Sequence, residues 1–399
     1  MIKNFIGYQE DLTESTFTRA AQDTRPTKIN LSIGVFRDEA GNAPILSCVQ
    51  QAEAHLINHR RTKGYLNPAG NMAYCGAIEG LILGHGHPAL SDDLIRSFQT
   101  PGAGAGLRVA AELIKSLTPA AKIWFSTPVW RHQVHFFSKA GLETAYYDYL
   151  RSDRLRIDFA AMLESLERAT PGDIVVIHGS CHNPTGADLS PDEWETLVAF
   201  LGERNLIPLV DIAYQGFGDS VEEDALGARL VMETLPESMV VVSSSKSFAI
   251  YRDRAGALMV KHPQGADAAD RYADHICDLI RALYFMPPDH GAETIEYILR
   301  EPALRALWRQ ELEAMRQSII TSRSQTHAAL QRAMPNADLS YLKAGKGMFS
   351  CLPITETKRL ALEQEHAIYL MPGGRINFAA VAPDKIERLC ETLPKYLNF

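Results

Sequence analysis

No stretch of the chain approaches the roughly 20 consecutive apolar residues that a membrane helix needs, so no helical span and no membrane partner is expected. Cysteine is sparse. Cys48, Cys75, Cys181, Cys277, Cys351 and Cys390 stand far apart without a CxxC pair, which argues against a disulfide framework or a zinc knuckle and leads us to expect reduced thiols and no metal. Lysines and arginines form no cluster within a formal net charge of -8, so nucleic acid is not expected as a partner. Small anions stay open, because a few placed arginines bind them whatever the net charge. The N-terminal MIKNFIGYQEDLTEST has early acidic residues and lacks a long apolar core with a cleavage site, so a secretory signal is not expected and a cytoplasmic location is. Repeats and low-complexity linkers are also missing.

What is present is an ordinary soluble composition, with 46% hydrophobic and 22% charged residues. At 399 residues the chain exceeds what one hydrophobic core usually organises, and two domains are expected. KIWFST, DIVVIHGS, LIPLVDIAY, MVVVSSS and GALMVK are short apolar runs of the buried-strand type. Helical segments such as PDEWETLVAFLGERN, which opens with proline and acidic residues, separate several of them. This βαβ rhythm predicts an α/β fold, a large domain with a mostly parallel sheet covered by helices, over residues 45–312. A smaller α+β domain is expected from residues 1–44, where KINLSIGVF reads as a strand, together with 313–399. A long amphipathic helix pattern from Pro302 to Met334 could join the two.

Polar residues collect at the C-terminal ends of the apolar runs, where open α/β sheets bind ligands: His178 onward to Asn183, Asp211 with Tyr214, and Ser243 with Lys246. The stretch VVVSSSKSFAIYRDRAG hands a lysine, Lys246, and a cation, Arg254, to such a polar site. Farther upstream, Pro101, Gly102, Ala103, Gly104 and Gly106 precede an apolar helix pattern. A glycine-rich turn opening a helix offers free N–H groups to a phosphate, although a merely flexible turn fits the spacing as well. SDDLIRSF before it does not read as a clear strand, and no Gly-Lys-Ser or Gly-Lys-Thr follows, so a phosphate-bearing cofactor other than ATP or NAD fits better.

HGSCHNPTG, DIAYQGF, SSSKSF with Arg254, PPDHGA and GRINFA, in this order, resemble the class I pyridoxal-phosphate-dependent aminotransferases of the aspartate/aromatic group over nearly the whole chain. The resemblance implies pyridoxal 5'-phosphate as cofactor and the aspartate aminotransferase-like fold. Lys246 would hold the cofactor and shuttle the proton at the substrate Cα, which requires a pKa lowered towards working pH. Asp211 would keep the pyridine nitrogen protonated, with His178 behind it or simply buried in the core. Tyr214 and Asn183 would bond the phenolic oxygen. Ser243, Ser245, Arg254 and the backbone of Gly102, Ala103 and Gly104 would take the phosphate. Trp130 would stack on the ring unless it is an ordinary core aromatic. Tyr65 would reach the phosphate in a neighbouring subunit, making the enzyme a homodimer with shared sites. Arg375 would clamp the α-carboxylate and Arg281, from the partner, a distal one. Gly34, Trp130 and Asn183 complete the substrate contacts.

Some positions depart from that pattern. Gly102 and Gly104 stand where hydroxyl residues are common, Ser244 where a tyrosine is frequent, and Phe285 with Met286 where Ser-Asn is usual. The bulk of that pair is expected to favour short substrates. The implied reaction moves the amino group of a dicarboxylic amino acid, L-aspartate first, to a 2-oxo acid such as 2-oxoglutarate or glyoxylate by a ping-pong mechanism. An aromatic amino acid aminotransferase and a lyase or decarboxylase on the same scaffold are the alternatives. A pyridoxal-binding regulatory domain is disfavoured, because the catalytic set is complete and no basic N-terminal domain is present.

Overall fold

The computed structural model describes residues 12–38, 40–84, 86–91, 94–151, 155–263 and 266–399. Residues 1–11, which carry most of the segment read for a leader and the start of the expected smaller domain, lie outside them.

Seven runs build the central sheet: β1 (Ile95–Pro101), β2 (Lys122–Thr127), β3 (Glu143–Asp148), β4 (Ile174–His178), β5 (Ile207–Ile212), β6 (Ser238–Ser243) and β7 (Ala255–Lys261). Their order is β1-β7-β6-β5-β4-β2-β3. Neighbours are parallel except where β7 pairs antiparallel with β1 and β6. This is the expected α/β architecture with a mostly parallel sheet. β4, β6 and β7 are buried along their whole length. Their β-branched residues alternate between the two apolar cores: Val240 and Val242 face one, Val241 the other.

β1 corrects the sequence reading. IRSFQTP is rich in polar residues and does not alternate cleanly, yet it forms a strand running straight into the helix Gly102–Leu117. Its polar side chains have partners inside the fold: the Gln99 amide donates to the Pro288 carbonyl and accepts from the Asn71 N–H, and the Thr100 hydroxyl donates to the Gly102 carbonyl. Buried polar groups cost little when paired, so tertiary partners outweigh the weak local pattern.

Helix Pro191–Glu203 begins as its sequence predicts, with Pro191 in the first turn and a reciprocal cap between Ser190 and Glu193. The long helix spans Pro302–Ala333. It is tied to the lysine segment by Trp308, whose indole N–H donates to the Ser247 carbonyl and whose ring stacks on Phe248 at 4.7 Å. Only Ile29–Asn30 of KINLSIGVF forms a strand, parallel to Ile368–Tyr369. The residues that follow are held by side chains rather than by a ladder: Asn377 donates to the carbonyls of Ile33 and Val35, and Tyr251 accepts from the Phe36 N–H. A second short pair, Phe349–Cys351 with Arg375–Asn377, is antiparallel and carries Arg375.

Candidate active site

At the C-terminal ends of β4, β5 and β6 lies a cleft of about 420 Å³. Parallel strands end there together, so the polar residues that follow each run converge although they are distant in sequence. Of the residues picked out from sequence, Gly34, Ala103, Gly104, Trp130, His178, Asn183, Asp211, Tyr214, Ser243, Ser245, Lys246, Arg254 and Arg375 all line it. Gly102 stands just behind, at the start of its helix. Tyr65 and Arg281 do not reach the cleft of their own chain. Tyr65 is 87% exposed and meets Phe285 edge-on at 5.9 Å, and Arg281 is exposed in the last turn of helix Ala266–Tyr284. Phe285 and Met286 lie with Tyr65 and Leu66, outside the cleft: the Leu66 N–H points to the Met286 sulfur at 3.2 Å.

Lys246 follows β6 and stands partly buried, its ammonium 4.8 Å from the centre of the Tyr214 ring. Loss of water around it pulls its pKa down to about 8; Asp211 opposes that shift, and Arg254 and Arg375 reinforce it. At that value about a tenth of the side chain is free amine at pH 7, far more than an ordinary lysine offers. Asp211 ends β5 and is 2% exposed. Burial pushes its carboxyl up to about 6, against the hydrogen bond from Gln133 and the charge of Lys246. Its Oδ1 is buried with no hydrogen-bond partner among the described residues. His178 sits opposite Asp211 in the β4–β5 register, and burial alone lowers its pKa to about 4.

Asn183 links two elements: its Oδ1 accepts from Arg375 Nη1 at 3.0 Å, and its Nδ2 donates to the Tyr214 hydroxyl at 3.3 Å. The Asn183–Pro184 bond is cis. Arg375, 8% exposed, also donates to the Ser32 carbonyl at 2.8 Å and lies 4.3 Å over the Phe349 ring, while its Nε has no partner among the described residues. Gly34 passes so close to Phe349 that a Cβ there would come within 3.2 Å of the ring.

At the other end, Arg254 donates to the Ser245 hydroxyl at 3.0 Å. Gly102 adopts φ 75, which favours glycine, and a Cβ on it would stand 2.3 Å from Arg254 Nη2, so a side chain there would push the guanidinium aside. Ser244 points away from the cleft and shares a hydrogen bond with the buried Tyr74 hydroxyl at 2.9 Å.

The residues fit a flat, phosphate-bearing carbonyl compound. A helix start with Arg254 and two serines forms an anion cradle at one end, an unpartnered carboxylate oxygen lies at the other, and an amine stands between them. Sequence reading missed Gln133, whose amide bonds Asp211 and which is 1% exposed. No local signal marked it: Trp130, three residues earlier, is extended and precedes helix Arg131–Ser138, so helix spacing does not relate the two. Phe17, Arg131, His132, Phe136 and Phe349 also line the cleft and carried no motif.

The family profile "Aminotransferase class I and II" matches residues 26–393. The chain is 39% identical over 371 residues to an aspartate aminotransferase of Salmonella typhi, covering 93% of both chains. It is 38% identical to an aromatic-amino-acid aminotransferase of Pseudomonas aeruginosa, covering 93% of this chain and 92% of that one. Its structure is similar to an aromatic-amino-acid aminotransferase from Burkholderia pseudomallei covalently bound to pyridoxal phosphate, with a TM-score of 0.96, 34% identity and 100% coverage of both chains. With this cleft and these relatives, the chain belongs to the class I and II aminotransferases.

Proposed function

We propose that the protein uses pyridoxal phosphate to move the amino group of a dicarboxylic amino acid, L-aspartate first, to a 2-oxo acid such as 2-oxoglutarate or glyoxylate. The observation that carries this is the convergence of Lys246, Asp211, Arg254 and Arg375 on one cleft, with Asp211 Oδ1 and Arg375 Nε left without partners among the described residues. Pyridoxal phosphate supplies a carbonyl that accepts amines and a ring that withdraws electrons from the substrate Cα. Lys246 would hold it and, once displaced by the substrate amine, its lowered pKa would equip the side chain to carry the proton between the substrate Cα and the carbon that pyridoxal phosphate supplies as its carbonyl. Asp211 Oδ1 would accept from the ring N–H, Tyr214 and Asn183 would address the ring oxygen, and Trp130 its face. Gly102, Ala103, Gly104, Ser243, Ser245 and Arg254 would hold the phosphate. Arg375 has guanidinium donors to spare for the α-carboxylate, and Gly34 lets substrate approach.

The distal carboxylate would fall to Arg281 of a second copy, with Tyr65 reaching that copy's phosphate end. A homodimer is supported by the exposed aromatic pair Tyr65 and Phe285, in edge contact at 5.9 Å and 87% and 59% exposed, and by the exposed Ile57. The division into residues 45–312 and 1–44 with 313–399 belongs to the same proposal, supported by the central sheet lying within the first range and the Arg375 strand within the second. So does a cytoplasmic location, supported by six free cysteines. Among the described residues no helix is long and apolar enough to cross a membrane.

A second reading, an aromatic donor, is favoured by Phe17, Trp130, Phe136 and Phe349 in the cleft wall and by the aromatic-amino-acid aminotransferases among the relatives. The test is a donor-by-acceptor panel of aspartate, glutamate, phenylalanine and tyrosine against 2-oxoglutarate and glyoxylate. Aspartate turning over fastest supports the first reading, and a faster aromatic reaction replaces it with the second. Lys246→Ala is expected to lower turnover at least about 10³-fold, and unchanged turnover refutes both.

A further inference from the structure

Gln133 is buried on helix Arg131–Ser138 between Asp211 and His178. Its amide nitrogen lies 2.5 Å from Asp211 Oδ2 and 3.3 Å from His178 Nε2. An amide nitrogen can only donate, and it carries two hydrogens. One N–H therefore goes to the carboxylate and the other to the imidazole nitrogen, which must accept and so be unprotonated. The ring proton of His178 is thereby assigned to Nδ1. The two oxygens of Asp211 become inequivalent: Oδ2 is taken by Gln133, and Oδ1 is left buried without a partner among the described residues.

We propose that Gln133 is a positioning residue for the carboxylate end of the cleft: it holds Asp211 through Oδ2, reserves Oδ1 for a protonated ring nitrogen, and keeps His178 neutral. This rests on the pyridoxal phosphate reading above. An amide does not titrate, so the donor set around Asp211 stays constant from acid to alkaline pH. The titratable groups around it are Lys246, His178 and Tyr214, with His182 against His178 at 4.4 Å and Arg254 and Arg375 acting on Lys246. His182 is held neutral by burial, its two ring nitrogens facing the Ser126 and Thr185 hydroxyls. Burial also keeps Tyr214 protonated. Both histidines are neutral across the working range, and Gln133 is among the influences that hold the Asp211 carboxyl below where burial alone would put it.

The test measures affinity of the apoprotein for pyridoxal phosphate from pH 5 to 9, alongside kcat and KM for the preferred donor. Gln133→Leu removes both donors and is expected to weaken cofactor binding about tenfold or more at pH 7, with the acid limb of binding moved to higher pH as Asp211 protonates more readily. Its kcat falls more than its KM rises. Gln133→His keeps a donor but adds a titrating group, so binding at pH 8.5 stays near wild type while a new acid limb appears around the histidine range of about 6.5. Should the leucine variant fail to fold, the histidine variant decides alone. The proposal is overturned by a leucine variant with wild-type affinity and limb, or by a histidine variant whose profile superimposes on wild type. Failure of the wild-type protein to bind pyridoxal phosphate would instead refute the function, and this assignment with it.

Discussion

Two buried arginines, Arg375 and Arg323, separate the cleft from the scaffold behind it. Arg323, 3% exposed on the long helix, uses every N–H it has: Nε to the Gly347 carbonyl, Nη1 to the Leu342 carbonyl and the Ser350 hydroxyl, Nη2 to the carbonyls of Lys346 and Phe349. Arg375 is almost as buried, yet among the described residues it makes two hydrogen bonds and leaves Nε idle. Both guanidiniums lie over a phenylalanine ring, Phe378 for Arg323 and Phe349 for Arg375. The residue type, the burial and the aromatic neighbour are shared; the use of the donors differs. A satisfied buried cation organises its own chain, whereas an unsatisfied one is a cost to the fold that a ligand can relieve.

The sharpest way to break this contrast is to truncate both. Arg375→Met is expected to lower kcat/KM for the amino acid donor about 10²-fold or more, since charge-assisted hydrogen bonds contribute roughly 1.5–3 kcal/mol each. Its urea midpoint should move little, and an unaltered kcat/KM would dissolve the contrast. For Arg323→Met the prediction inverts: stability falls by about 3–5 kcal/mol, because carbonyls in the interior lose their donors, while the KM of whatever folded enzyme survives stays near wild type. Equal midpoints in the two variants would count against it.

Asp211 extends the comparison to pH. Its folded pKa of about 6 stands above the ordinary aspartate value of 3.8, so the folded apoprotein binds more protons than the unfolded chain between these values. Stability attributable to this group is present below pH 3.8 and is lost as pH rises through 6. Asp211→Asn should therefore stabilise the apoprotein at pH 8 by about 1–3 kcal/mol, with the gain vanishing towards pH 4, while abolishing most turnover. Calorimetry at the two pH values checks the sign, and a destabilised apoprotein at pH 8 contradicts it. The smallest effect belongs to Lys346 and Asp219, a half-exposed ion pair: Lys346→Ala should cost under about 1 kcal/mol in the same urea titration.

The cleft was largely legible in the sequence because its chemistry sits in contiguous motifs at strand ends, and parallel strands bring such ends together by rule. β4 to β7 announce themselves through short apolar runs, β-branched in β4 and β6. β1 did not, because Gln99 and Thr100 earn their burial from partners far away in sequence. The same reason hid Gln133: its meaning lies in Asp211 and His178, reached only by folding. The KINLSIGVF segment misled in the other direction, since its extended backbone is held by Asn377 and Tyr251 side chains instead of a ladder. Tyr65, Arg281 and Phe285 are exposed and half-buried Met286 packs beside them, away from the cleft of their own chain.

The sheet order has a bearing on motion. β5 and β6, which deliver Asp211 and Lys246, are bonded on both sides, whereas the strand Arg375–Asn377 has a single partner strand. Amide hydrogens in Val210–Ile212 and Val240–Val242 should exchange only through global opening, and those around Arg375 through smaller local excursions. The half of the cleft that would handle protons is thus anchored in strands paired on both sides, and the half that would grip the carboxylate rests on a strand with one partner strand.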